Sequence, residues 1–187
     1  KLFFKQIEHL YSENRNVQIF PVELDSVNDA NKIINNYSLI NDLPILKVGF
    51  EIEQNSKLPF YKAFYSQLDL KYNLSYKYFY CPSDNNRESN LKNHLFDEFN
   101  IKSEKFMLIH SESSVKSYDL KIRNRFQSID LKIEHDIYNN IFLYKKIIQE
   151  ANEIHCINSS FAHLIDRIDT SGKLIYHDIR GTKIKFK

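Results

Sequence analysis

Tryptophan is absent from this 187-residue chain, methionine occurs once, cysteine twice and glycine three times. So little glycine excludes the glycine-rich phosphate loops of the P-loop and GxGxxG kinds, whose tight turns and close backbone approach need glycines at fixed offsets. The two cysteines, Cys81 and Cys156, lie far apart and have no metal-type spacing. Cys156 sits inside an apolar run, where a reduced, buried thiol is expected. Charge of one sign is also lacking: the net charge is +2, which argues against a dedicated nucleic-acid surface. No apolar run approaches the ~20 residues that span a bilayer, and no signal peptide is visible, so a cytoplasmic location without a transmembrane segment is expected. The chain begins without Met, at "KLFF", so the natural N-terminus is expected to lie upstream.

What is present is apolar mass. The chain is 42% hydrophobic, with 14 Phe and 12 Tyr, enough for a substantial core. Strand and helix patterns alternate. In the first half, "KLFF", "VQIFPVE", "PILKVGF" and "YKYFY" read as strands. "KQIEHLYSE", "SVNDANKIINNY" (capped by Ser26) and "PFYKAFYSQL" (Pro59 in its first turn) read as helices. The loop "CPSDNN" marks a boundary near residue 85. In the second half, "EKFMLIH", "IDLKIEH", "EIHCI" and "GKLIYH" read as strands. "RESNLKNHLFDEF", with Leu91, Leu95 and Phe96 inward, "NIFLYKKIIQEA" and "SFAHLIDRI" read as helices. Such alternation predicts an α/β fold with parallel strands and covering helices.

Ligands of open parallel sheets bind beyond the carboxyl ends of the strands. Polar residues gather there in the second half. His110 is followed by Ser111, Glu112, Ser113 and Ser114. His135 is followed by Asp136. "HCI" is followed by Asn158, Ser159 and Ser160, and His177 by Asp178 and Arg180. Hydroxyls and amides at a helix start suit a phosphate or diphosphate. A plain N-cap needs only one of the two serines. His110, His135 and His177 also open a metal-hydrolase alternative, against which stands the lack of a short-spaced His pair such as HExxH. No GxSxG elbow supports Ser160 as a nucleophile. The basic "KIKFK" tail reads as solvated.

In order along the chain, "LKVGFE", "FYKAFYSQLDLKYNLSYKYFYCPSDNNRE", "KFMLIHSESS", "NIFLYKKIIQEANEIHCINSSFAHLIDRI" and "KLIYHDIR" resemble bacterial and viral glycosyltransferase-like proteins. Those belong with the fucosyltransferase- and heptosyltransferase-like GT-B superfamily, built of two Rossmann-like domains. "EIHCINSSFAHLID" is the most specific piece. The resemblance implies a partial acceptor-side domain over 1–85 and a donor-side domain over 86–187. The first domain is expected to be incomplete, since "KLFF" would align with its second strand. It implies metal-independent hexosyl or deoxyhexosyl transfer in polysaccharide biosynthesis, with a nucleotide-sugar donor as substrate, a glycan or lipid-linked acceptor, and no cofactor. The donor diphosphate and sugar would fall to His110, Ser111, Ser113, Lys116, Asn158, Ser159, Ser160 and Arg180, with Glu112, Asp136 and His177 as further sugar or nucleotide contacts. Fucosyltransferases carry arginines in the loop where this chain has Lys116. No catalytic base is assigned. The alternative is an inactive or truncated relative acting as a binding or assembly module.

Overall fold

A computed structural model describes residues 2–20, 27–46, 48, 58–113, 115–123 and 125–179. The chain divides into two compact units, one of residues 1–15 with 81–187 and the other of residues 16–80. The division expected near 85 therefore differs from this one at both ends: α1 (Leu2–Leu10) and residues 81–84 cluster with the sheet.

The sheet unit holds α1, α5 (Asn85–Glu98), β1 (Phe106–His110), β2 (Gln127–Leu131), α6 (Lys145–Glu150), β3 (Glu153–Ile157), α7 (Ser160–Ile165) and β4 (Lys173–His177). Short 3-10 turns cover Ile133–His135 and Ile141–Tyr144. All pairings are parallel, in the order β2-β1-β3-β4, as the alternating pattern predicts. Register pairs His110 with Leu131 on one side and Cys156 on the other, and Cys156 with Tyr176. Residues in register share a face and neighbours along a strand alternate. One face thus carries Phe106, Leu108, Ile129, Leu131, Ile154 and Cys156, all buried. Phe96 of α5 packs edge-on against Phe106, ring centroids 5.0 Å apart. Each fully buried Leu or Ile here contributes about 1.5–3 kcal/mol over exposure.

α5 starts on a reciprocal cap that the sequence reading did not pick out. The Asp84 carboxylate accepts the Arg87 N–H at 3.0 Å, and buried Glu88 accepts the Asp84 N–H at 2.8 Å. Scarce glycine also has a visible substitute. Asp42, Asp69 and Asn100 take φ of 51°, 52° and 51° just past the ends of α2 (Val27–Asn41), α3 (Phe60–Gln67) and α5. Short polar side chains tolerate this left-handed position, which glycine usually fills.

Several expected strands are absent. Of "KLFF", residues 2–4 lie in α1, because Phe3, Ile7 and Leu10 continue one helical spacing through the segment. "YKYFY" falls across α4 (Leu74–Lys77) and an irregular stretch in which Tyr78 is 68% exposed, leaving no face to bury against a sheet. Val17–Phe20 and residues 44–46 and 48 have no regular structure, and the rest of both predicted strands, like Ser26, lies outside the described residues. β2 ends at Leu131 rather than at His135, because the His135 ring accepts the Lys132 N–H at 3.1 Å and winds the chain into a 3-10 turn.

The described residues of 16–80 are helical where they are regular. Tyr72 is ringed by Tyr61, Tyr65 and Tyr76 at 5.1, 5.4 and 5.7 Å. A sheet like that of a Rossmann domain is not seen among the described residues of this unit. No described helix is long and apolar enough to cross a membrane.

Candidate functional site at the carboxyl edge

From β1 the chain moves to β2 on one side; from β3 it moves to β4 on the other. The connections leave the β1/β3 pair in opposite directions, which opens a crevice at the carboxyl ends of these two strands. His110 ends β1, and Asn158 and Ser159 follow β3.

His110 and the serine turn meet there. The His110 Nδ1 lies 3.4 Å from the Ser159 Oγ, and its ring stacks on Phe161 at 4.7 Å and 16°. Burial pushes the His110 pKa down to about 4, with Glu112 acting weakly the other way. At neutral pH the ring is uncharged and serves as a flat surface with hydrogen-bonding nitrogens. Ser159 is the N-cap: its Oγ accepts the Ala162 N–H at 3.2 Å. Ser160, the first helical residue, is exposed and takes no part in the cap. We predict that Ser159→Ala costs about 0.5–2 kcal/mol, the range for losing a cap, while Ser160→Ala stays within about 0.5. Urea denaturation followed by circular dichroism separates the two.

Two cavities adjoin at this edge and share His110, Ile133, Ile141 and Phe161. One of about 260 Å³ adds the polar residues Glu112, Ser113, Ser159 and Ser160 to its lining. A more apolar one of about 270 Å³ adds Leu131, Lys132, Asp136, Asn139 and Tyr144. The Asp136 carboxylate accepts the N–H groups of Tyr138 and Asn140 at 3.1 and 2.8 Å, yet burial dominates and raises its pKa. Glu112 accepts the Ile133 N–H at 2.8 Å. Ser113 closes its own loop, accepting from the Val115 and Lys116 N–H groups and donating to the Lys116 carbonyl.

Other expected members are placed elsewhere. Ser111 is buried and donates to Asp130 at 3.2 Å, tying β1 to β2. The Lys116 ammonium lies over the Tyr118 ring, 4.8 Å from its centroid, and Lys116 lines neither cavity. Among the described residues the cation that lines the crevice is Lys132, which the sequence reading missed although it directly follows β2. Arg180 and Ser114 lie outside the described residues. Asn158 is half-buried between β3 and the cap. His177 sits at the same edge but on the opposite face from His110, since its register partner is Ile157 and not Cys156. Its ring stacks with His155 at 5.1 Å, while His135 packs edge-on against Phe99 at 4.9 Å. The three imidazoles thus have separate surroundings, and no group of three His, Cys, Asp or Glu among the described residues is arranged to hold a metal ion. Both cysteines are buried and free, and burial pushes the Cys156 thiol up to about 12.

Comparison with known proteins adds no relative: no protein-family profile, curated protein or solved structure matches the chain.

Proposed function

We propose that the β1/β3 crevice binds a nucleotide sugar and that the chain is part of a glycosyltransferase of GT-B type, transferring the sugar to a glycan or lipid-linked acceptor. The observation that carries this reading is the two-part crevice at the switch point, polar beside Ser159 and Ser160 and apolar beside Phe161, Leu131 and Tyr144. The apolar part suits a flat base, and the polar part suits phosphate and sugar oxygens. Ser160 is free of capping duty, and Lys132 is the cation at hand for a diphosphate. Glu112 and Asp136 are acceptors for sugar hydroxyls, and neutral His110 donates or accepts one hydrogen bond.

Titration with UDP, GDP and ADP tests the reading. One of them is expected to bind at millimolar concentration or tighter, several-fold more weakly to Ser160→Ala. If none binds, the donor site is refuted.

One observation favours the second reading, a binding module without transfer. The crevice offers two carboxylates and, among the described residues, one lysine, which is little positive charge for a leaving diphosphate. Robust turnover of a sugar nucleotide would remove that reading.

A further inference from the structure

On the sheet face away from His110, three titratable side chains form a continuous hydrogen-bonded line. Glu153 and His155 occupy alternate positions of β3, and His177 ends β4. The Glu153 Oε1 lies 2.7 Å from the His155 Nε2, and the His155 Nδ1 lies 2.8 Å from the His177 Nε2. Glu153 is 6% exposed and His155 4%, while His177 is half-buried at the carboxyl edge. Lys173, in register with Glu153, is exposed and makes no ion pair with it. Asp130 on β2 is the other charged neighbour on this face of the sheet, and it is engaged by Ser111.

We infer that Glu153, His155 and His177 form a proton relay whose outer end, the Nδ1 of His177, is a proton-accepting site. The order of donors follows from the buried carboxylate. An ionised Glu153 accepts from the His155 Nε2–H, which leaves the His155 Nδ1 as an acceptor. That nitrogen takes the His177 Nε2–H, which leaves the His177 Nδ1 with a free lone pair. When a proton binds to that lone pair, the Nε2 proton of His177 moves to the His155 Nδ1. The charge then rests on a buried imidazolium–carboxylate pair, and His177 is neutral again. Burial and the neighbouring His155 lower the proton affinity of His177, which keeps its ring neutral near pH 7. A relay that ends on a buried carboxylate suits a neutral ligand that gives up a proton, an alcohol hydroxyl above all.

Two measurements on the full chain test the relay. In nitrogen-15 spectra of the histidine rings at pH 8, His155 and His177 are both expected as Nε2–H tautomers, each Nε2–H donating to the next acceptor in the line. Glu153→Gln keeps an acceptor oxygen and removes the charge. It is expected to lower the His177 midpoint by about one pH unit, a tenfold loss of proton affinity. Diethyl pyrocarbonate probes the lone pair. The His177 Nδ1 attacks a carbonyl carbon, the bond to the carbonate leaving group breaks, and the Nε2 proton passes to His155. Carbethoxylation at His177 is expected, several-fold slower in Glu153→Gln. A His177 that is Nδ1–H at pH 8, a His155 that is Nδ1–H there, or a His177 that resists the reagent overturns the relay. Those three readouts need only the unsubstituted chain, so they stand even where the variant fails to fold.

Discussion

Replacing Gly172 by alanine is expected to destabilise the sheet unit by about 2–3 kcal/mol, near the upper end for overpacking a rigid position. A Cβ added at Gly172 would stand 2.1 Å from the Ala151 carbonyl oxygen and 3.1 Å from its carbon. Both are backbone atoms, so no side chain can swing aside. The neighbouring bonds hold the two segments together. The Gly172 N–H donates to the Thr170 Oγ1 at 3.1 Å, and that hydroxyl donates to the Ile148 carbonyl at 3.0 Å. One residue on, the Lys173 N–H donates to the Asn152 carbonyl at 2.9 Å, where β4 begins beside β3. Relief of the clash has to move β4 or the end of α6. Circular dichroism in a urea series measures the loss, since the chain has no tryptophan to report by fluorescence. A change under about 0.5 kcal/mol would contradict the close approach.

Lowering the pH from 7 to 4 is expected to cost the sheet unit about 3 kcal/mol through His110 alone. Its pKa falls from an ordinary 6.5 to about 4 in the folded chain. Between those values the unfolded chain binds a proton that the folded chain does not, so stability is complete above about pH 6.5 and drains away as pH falls through 4. About 2.5 pH units at about 1.4 kcal/mol each set the size. His9, His163 and His177 are lowered as well, chiefly by burial, and act in the same direction. His110→Phe keeps a flat ring against Phe161 and removes the titration. Denaturant midpoints between pH 4 and 7.5 are expected to flatten in that variant, and an unchanged slope would place the acid sensitivity elsewhere.

The second half of the chain was legible because its strands are short, apolar and punctuated by polar strand ends, and each helix returns to the sheet. That pattern placed His110 and the Ser159–Ser160 turn at one edge, where they meet. It did not show on which face each strand-end side chain lies. Facing depends on register, and register sets His177 apart from His110. Phe161 read as one residue of a helical stripe, although it also forms the floor under His110. Glu153 and His155 were not singled out for a related reason: alternation along a mostly apolar strand does not reveal that two polar side chains pair with each other and with a third on β4. The first half misled because runs such as "KLFF" are too short to separate a strand from a helix by spacing, and their partners decide.

The most direct test of the nucleotide-sugar crevice is a nuclear magnetic resonance titration with UDP, GDP and ADP that follows the His110 and Phe161 rings. The proposal predicts that one nucleotide shifts both rings in a saturable way, with smaller shifts at His177 on the far face and weaker binding in Ser160→Ala. Three nucleotides that leave His110 and Phe161 unmoved, or that shift only residues remote from the β1/β3 edge, would contradict it.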